Sequence, residues 1–175
     1  MSVEKQQNYN ILFLGYGYIA QCFCKYYSSG NLRLSASINN SKEKYFKTPS
    51  KVTTINFLKI DHSILDNYDN FVISIPPFYQ RQTDIVIDKF HDYFLSRKTP
   101  YKLIYLSATS VYGDHEGRKV QEDSDLKAKS KNGLARISCE NNYLELQENA
   151  LANIVILRLA AIYGDQRNSI VEIRD

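Results

Sequence analysis

The sequence predicts an α/β fold, a doubly wound parallel sheet with helices on both faces. Three observations carry that expectation. Short apolar runs recur along the chain, each about as long as a buried strand and each closed by a glycine, a proline or a polar stop. Stretches with apolar residues at helical spacing stand between them. A glycine-rich turn joins the first run to the first such stretch. Strands that alternate with helices need crossover connections, which make a parallel sheet with right-handed crossovers.

Taken in order, Asn10–Leu14 is an apolar run ending at Gly15 and reads as a buried strand. Ile19 to Tyr27 places Ile19, Phe23 and Tyr27 on one face and reads as a helix, with Gly30 as its C-cap. Leu32–Ile38 alternates apolar and polar residues, a second strand. Asn39–Ser50 is polar, a loop or a weak helix. Val52–Phe57 is a third strand and Asp61–Tyr68 a short helix or turn. Phe71–Ile75 is a fourth strand, stopped by Pro76-Pro77 because proline has no N–H to give to a ladder. Phe78–Leu95 carries Ile85, Ile87, Phe90 and Phe94 and reads as one long helix. Tyr101–Ser107 is a fifth strand, Val111–Lys131 a polar surface excursion, Gly133–Ala150 a helix and Asn153–Leu159 a sixth strand. The stretch from Tyr163 to Asp175 closes no recognisable element.

Composition sets the bounds. The 175 residues suit one domain with a core of its own. Apolar residues are 43% and charged residues 23%, the ordinary globular range. A net charge of +3 without a Lys/Arg cluster argues against a nucleic-acid partner. The polar start Met1 to Asn10 has no signal-peptide core, and no stretch approaches the ~20 apolar residues of a membrane span. Both point to a cytoplasmic protein. Cys22, Cys24 and Cys139 have no disulfide-framework spacing, and His62, His91 and His115 are scattered, so no metal site is expected.

Gly15-Tyr16-Gly17-Tyr18-Ile19-Ala20 carries the first chemistry. It follows a strand and opens a helix, the context in which G-x-G-x-x-G/A binds a dinucleotide. Gly15 makes the tight turn, Gly17 lets a pyrophosphate approach the backbone, and Ala20 lets the helix pack close to the strand. No Gly-Lys-Ser/Thr follows, so it is not a P-loop. The second strand ends Ser37-Ile38-Asn39-Asn40-Ser41-Lys42, with no carboxylate before Glu43 to hold a ribose 2′-hydroxyl. Ser37, Asn39, Ser41 and Lys42 suit a 2′-phosphate, which tilts the cofactor from NAD slightly toward NADP; a loop that touches nothing is the equal alternative. Two further strand ends, Ile104–Asp114 and Leu157–Gly164, fall where parallel sheets bind ligands, which places Ser107, Ser110 and Tyr112 near a cofactor.

The Gly15–Ala20 turn, Ser74-Ile75-Pro76-Pro77, Leu106–Gly113 and Leu157–Gly164 together resemble the extended short-chain dehydrogenase/reductase superfamily. More closely they resemble the NAD-dependent epimerase/dehydratase family and its atypical nucleoside-diphosphate-sugar epimerase-like branch. The resemblance implies a Rossmann sheet ordered 3-2-1-4-5-6 with a small C-terminal substrate part, and a nucleotide sugar as substrate. It places Gly15, Gly17, Tyr18 and Ile19 on the pyrophosphate and Asp61 near the adenine. Ser74, Ile75 and Pro76 would line the groove, with Ser107 near the nicotinamide ribose.

The family's catalytic set is not matched. Its Ser or Thr, three residues before the Val of Val-Tyr-Gly, is Ala108 here. Anchored on Glu140, its Y-x-x-x-K pair becomes Asn132 and Arg136. A catalytic Tyr exchanges a proton as hydride moves, and a neighbouring Lys lowers its pKa. An amide does neither, and a guanidinium supplies charge without titrating. Ser107, Thr109 and Ser110 are the hydroxyls left to stand in. The resemblance also implies about a hundred further residues after the sixth strand, so the substrate lobe is expected to be largely absent. Three readings follow: an NAD(P)-dependent enzyme on a nucleotide sugar, a non-catalytic cofactor-binding sensor or regulatory module, and a shortened remnant whose exposed apolar face drives homodimerisation.

Overall fold

The computed structural model describes residues 9–27, 31–39, 51–164 and 167. Its six strands are β1 (Tyr9–Leu14), β2 (Leu32–Ile38), β3 (Val52–Asn56), β4 (Asn70–Ile73), β5 (Tyr101–Ala108) and β6 (Ala152–Leu159). They form one sheet in the order β3-β2-β1-β4-β5-β6, and every pairing is parallel. The helices are α1 (Tyr18–Tyr27), α2 (His62–Leu65), α3 (Ile85–Ser96) and α4 (Lys131–Asn149). Gly30, Ser41, Lys42, Glu43 and most of Tyr163–Asp175 lie outside the described residues.

Strand alternation divides the apolar residues between two cores, because successive side chains of a strand point to opposite faces. Leu12 and Leu14 of β1, Phe71 and Ile73 of β4, and Leu103 and Tyr105 of β5 pack with Leu65, Phe90, Phe94, Tyr143 and Leu146 of the helices. Phe13, Leu34, Ala36 and Val72 face the other way, against Ala20 and Cys24 of α1. The sheet is therefore covered by α2, α3 and α4 on one face and by α1 on the other. That is the doubly wound arrangement.

The long helix expected over Phe78–Leu95 is shorter than its sequence suggests. Phe78 and Thr83 pair across a small loop, Gln82 takes a left-handed φ of 53°, and α3 starts only at Ile85. Asp84 is the reason. Its carboxylate accepts hydrogen bonds from the Val86 and Ile87 amides, at 2.8 and 3.0 Å, and so caps the helix. Asp84 is 0% exposed, and Tyr143 of α4 donates its hydroxyl to it at 2.9 Å. Burial pushes the Asp84 pKa up, against the pull of these donors. β4 likewise ends earlier than expected, at Ile73, because the Ser74 and Ile75 amides turn to donate to Leu14 O.

Candidate functional site

β1 has β2 on one side and β4 on the other, so the connections leaving these strands diverge. A crevice opens over the strand ends where the order reverses, the place where open α/β sheets bind ligands. The glycine turn lies in it. Gly15 takes φ +113°, and a Cβ there would meet Ser74 Oγ at 2.7 Å and Ile75 N at 3.0 Å. Both neighbouring strands fasten this residue. Its amide donates to Ser37 Oγ at 2.8 Å, and its carbonyl accepts from Ser74 Oγ at 2.7 Å. The Gln21 amide then donates to Gly17 O, and α1 begins with its first amides at the crevice.

Gly17 has a different reason to be glycine. A Cβ added there would meet no atom of the described residues within 4 Å. Nothing in the protein's own packing demands its absence; the space it leaves belongs to the groove.

The groove has two lobes, of about 560 and 420 Å³, which share Gly17, Ser74 and Pro76. The first also takes Gly15, Ile75, Ser37, Ile38, Asn39, Thr54, Phe57 and Leu58, and among the described residues no charged side chain lines it. Asn39 stands at the end of β2. The second is walled by Tyr18 and Ile19 from α1, by Leu106, Ser107 and Ala108 from β5, by Arg136 from α4, by Leu159 at the end of β6, and by Ala160 to Ile162 and Arg167 beyond it.

The structure thus brings Gly15, Gly17, Tyr18, Ile19, Ser74, Ile75, Pro76, Ser107, Ala108 and Arg136 to one groove. It does not bring Asp61. That carboxylate caps α2, accepting from Ser63 Oγ at 2.7 Å and from the Ile64 amide at 3.0 Å, and those bonds hold its pKa below the ordinary range. Phe57 and Leu58, in the turn after β3, supply the wall expected from Asp61. Asn132 is exposed on the first turn of α4 and lines neither lobe. Thr109 and Ser110 turn away in a single 3-10 turn and do not replace the hydroxyl missing at Ala108.

A buried polar cluster supports the second lobe, and sequence reasoning missed it. Ser107 Oγ donates to Glu140 Oε1 at 2.5 Å. Glu140, 1% exposed, takes Arg158 Nη2 at 2.9 Å and Nε at 3.2 Å. Arg158 Nη1 reaches Tyr112 Oη and Glu122 O, with its guanidinium 5.0 Å above the Tyr112 ring. The carboxylate holds the Arg158 pKa above its ordinary value. Tyr112 is thereby fixed away from the lobe, as a strut between β6 and the excursion. Breaking a buried pair like Glu140–Arg158 strands a charge at a cost of about 3–5 kcal/mol. Arg136 Nη1 donates to Leu106 O at 3.0 Å.

No protein-family model matches the chain, and no curated protein does. Solved structures do. A functionally unknown conserved protein from Silicibacter pomeroyi superposes with TM-score 0.81 at 25% identity, over 92% of this chain and 56% of that one. UDP-glucuronic acid 4-epimerase from Bacillus cereus, in complex with NAD, gives 0.72 at 24%, over 89% and 57%. dTDP-glucose 4,6-dehydratase from Bacillus anthracis, in complex with NAD, gives 0.69 at 15%, over 94% and 60%. The chain spans 56–60% of the length of these structures. The shared feature is the Rossmann-like fold, with its sheet order of 3-2-1-4-5-6.

Proposed function

We propose that the chain binds a nicotinamide dinucleotide along this groove, with the adenosine half in the first lobe and the nicotinamide half in the second. The carrying observation is Gly17: it stands at the junction of both lobes, and the space its missing side chain leaves open is continuous with them, which suits a bound diphosphate. The rest of the groove suits the same molecule. The first amides of α1 face the diphosphate, where a helix N-terminus favours negative charge. The apolar walls Ile38, Phe57 and Leu58 suit an adenine. Asn39 brings no carboxylate to meet a 2′-phosphate, so NADP is accommodated alongside NAD and slightly favoured.

The bound nicotinamide would supply hydride acceptance and return. Around it Ser107, its proton committed to Glu140, offers lone pairs to a ribose hydroxyl. Arg136 supplies fixed positive charge. A nucleotide sugar is the substrate class proposed for a catalytic form, since two of the matched structures are named as enzymes of UDP-glucuronic acid and dTDP-glucose. Ala108 and Asn132 favour a second reading, a cofactor-binding module without turnover. Neither offers a proton donor or acceptor near neutral pH, and Asn132 does not reach the lobe.

Fluorescence titration with NADH and NADPH tests the proposal. Micromolar binding of either is expected, the tighter partner deciding the 2′-phosphate question. No binding of either up to millimolar concentration sinks it. Nucleotide-sugar conversion by the loaded protein then separates the enzyme from the module.

A further inference from the structure

The second lobe is cationic beyond what a cofactor diphosphate requires. Arg136 and Arg167 both line it, and among the described residues no acidic side chain does. The chain treats its other inward-facing guanidinium groups differently. Arg97 meets Asp69 at 2.6 Å and Arg158 meets Glu140 at 2.9 Å. Among the described residues Arg136 has no carboxylate partner, and its bond to Leu106 O leaves its charge uncompensated.

Arg167 is aimed by the chain beyond β6. Its backbone pairs both ways with Gly164, at 2.9 and 3.0 Å, and its guanidinium lies 5.4 Å above the Tyr18 ring. Gly164 rests directly on the Tyr18 phenol, where a side chain has no room. This turn therefore presents a cation beside the first turn of α1, which is already the positive end of a helix. Arg136 adds a second cation from α4. Like charges gathered around a half-buried cavity repel one another, and a bound anion offsets that repulsion.

On the dinucleotide reading, one anion is already assigned: the diphosphate at the amides of Tyr18 and Ile19. Arg136 stands elsewhere, on the wall made by Leu106, Ser107 and Ala108. We propose that the second lobe binds a second anionic group, a carboxylate or phosphoryl group of the substrate, between Arg136 and Arg167 beside the nicotinamide half. This rests on the cofactor reading and adds to it the group of the substrate that the lobe holds, a carboxylate or a phosphoryl oxygen set beside the nicotinamide half. Two cations at fixed positions recognise such a group by charge-assisted hydrogen bonds. They also serve a lobe whose family positions for a hydroxyl and a phenol hold Ala108 and Asn132.

Calorimetric titration of malonate and of inorganic phosphate tests it, on the free protein and on protein saturated with NADH. Binding of either anion to the NADH-loaded protein is expected. Arg136→Gln should weaken that binding by about tenfold or more, and by a larger factor than it weakens NADH binding titrated separately. Arg136→Lys should restore most of it. Anions that only displace NADH would mark the diphosphate seat alone and overturn the proposal, as would anion binding indifferent to Arg136→Gln. Anion binding without any NADH binding would remove the cofactor reading and leave the arginine site standing. No anion bound in either state removes the site, whatever NADH does.

Discussion

Gly15 and Gly17 are two residues apart and answer different demands, which makes them separable by experiment. Gly15→Ala forces a Cβ onto a φ of +113° and against Ser74 Oγ and Ile75 N. Such a backbone costs about 1–3 kcal/mol before the contact is counted. The variant should lose about 2 kcal/mol or more in urea unfolding. Gly17→Val places its side chain in open groove, so its stability should stay within about 1 kcal/mol of the parent. Its affinity for NADH should nevertheless fall at least about tenfold, because the side chain would occupy the path proposed for the diphosphate. A Gly17→Val protein that binds NADH like the parent would remove the placement of the dinucleotide. The same scale explains the fate of Asp61. The family resemblance puts this carboxylate near an adenine, yet an Asp three residues before an amide it can reach is also a helix cap. The short α2 uses it as a cap, at Ile64 N.

At the scale of elements, most of the fold was legible because buried parallel strands are apolar runs with sharp ends. β2 matches its expected range, Leu32–Ile38, residue for residue, and β1, β5 and β6 differ by one residue at one end. The error at α3 is instructive. Apolar Phe78 and Tyr79 extend the hydrophobic pattern upstream, but Asp84 directly before Ile85-Val86-Ile87 is an N-cap signature and sets the true start. What no local pattern shows is that Asp84 lies under Tyr143, 59 residues away. Its burial gives a prediction with a definite sign. The folded-state pKa is raised above the ordinary value of 3.8. The fold therefore prefers the protonated form, and this stability is complete below the ordinary pKa and lost as pH rises through the raised one. Asp84→Asn keeps an oxygen for the Val86 and Ile87 amides and carries no charge. It should match the parent at acid pH and gain on it by about 1 kcal/mol as pH rises toward neutral. Asp84→Ala loses the cap and strands the Tyr143 hydroxyl, and should cost about 2–3 kcal/mol. A stability difference between parent and Asp84→Asn that does not change with pH would show that the carboxylate carries no burial penalty.

For the whole molecule, the groove is a product of topology more than of any motif. Its walls come from all six strands or the turns just after them, the start of α1, α4, and the chain beyond β6. The glycine turn could be read locally because one hexapeptide holds its logic. The Ser107–Glu140–Arg158 cluster could not, since its members lie 33 and 18 residues apart and each alone looks like an ordinary polar side chain. Arg167 was invisible for the same reason; only the contact of Gly164 with Tyr18 aims it at the lobe. A ligand seated across so many elements binds the folded state and has no comparable site in the unfolded chain. Linkage then fixes the size of its effect. At one hundred times its dissociation constant, NADH should add about 2.7 kcal/mol. A chain of this length gains about 2–4 °C per kcal/mol, so the melting temperature should rise by about 5–10 °C. ADP-ribose, which on the proposed placement would fill the first lobe and the diphosphate seat, should give a large part of that rise, and Gly17→Val should show almost none with either compound. A rise with NADH that persists in Gly17→Val would place the ligand elsewhere on the fold. A rise with NADH and none with ADP-ribose would move the binding energy from the apolar first lobe to the cationic second one.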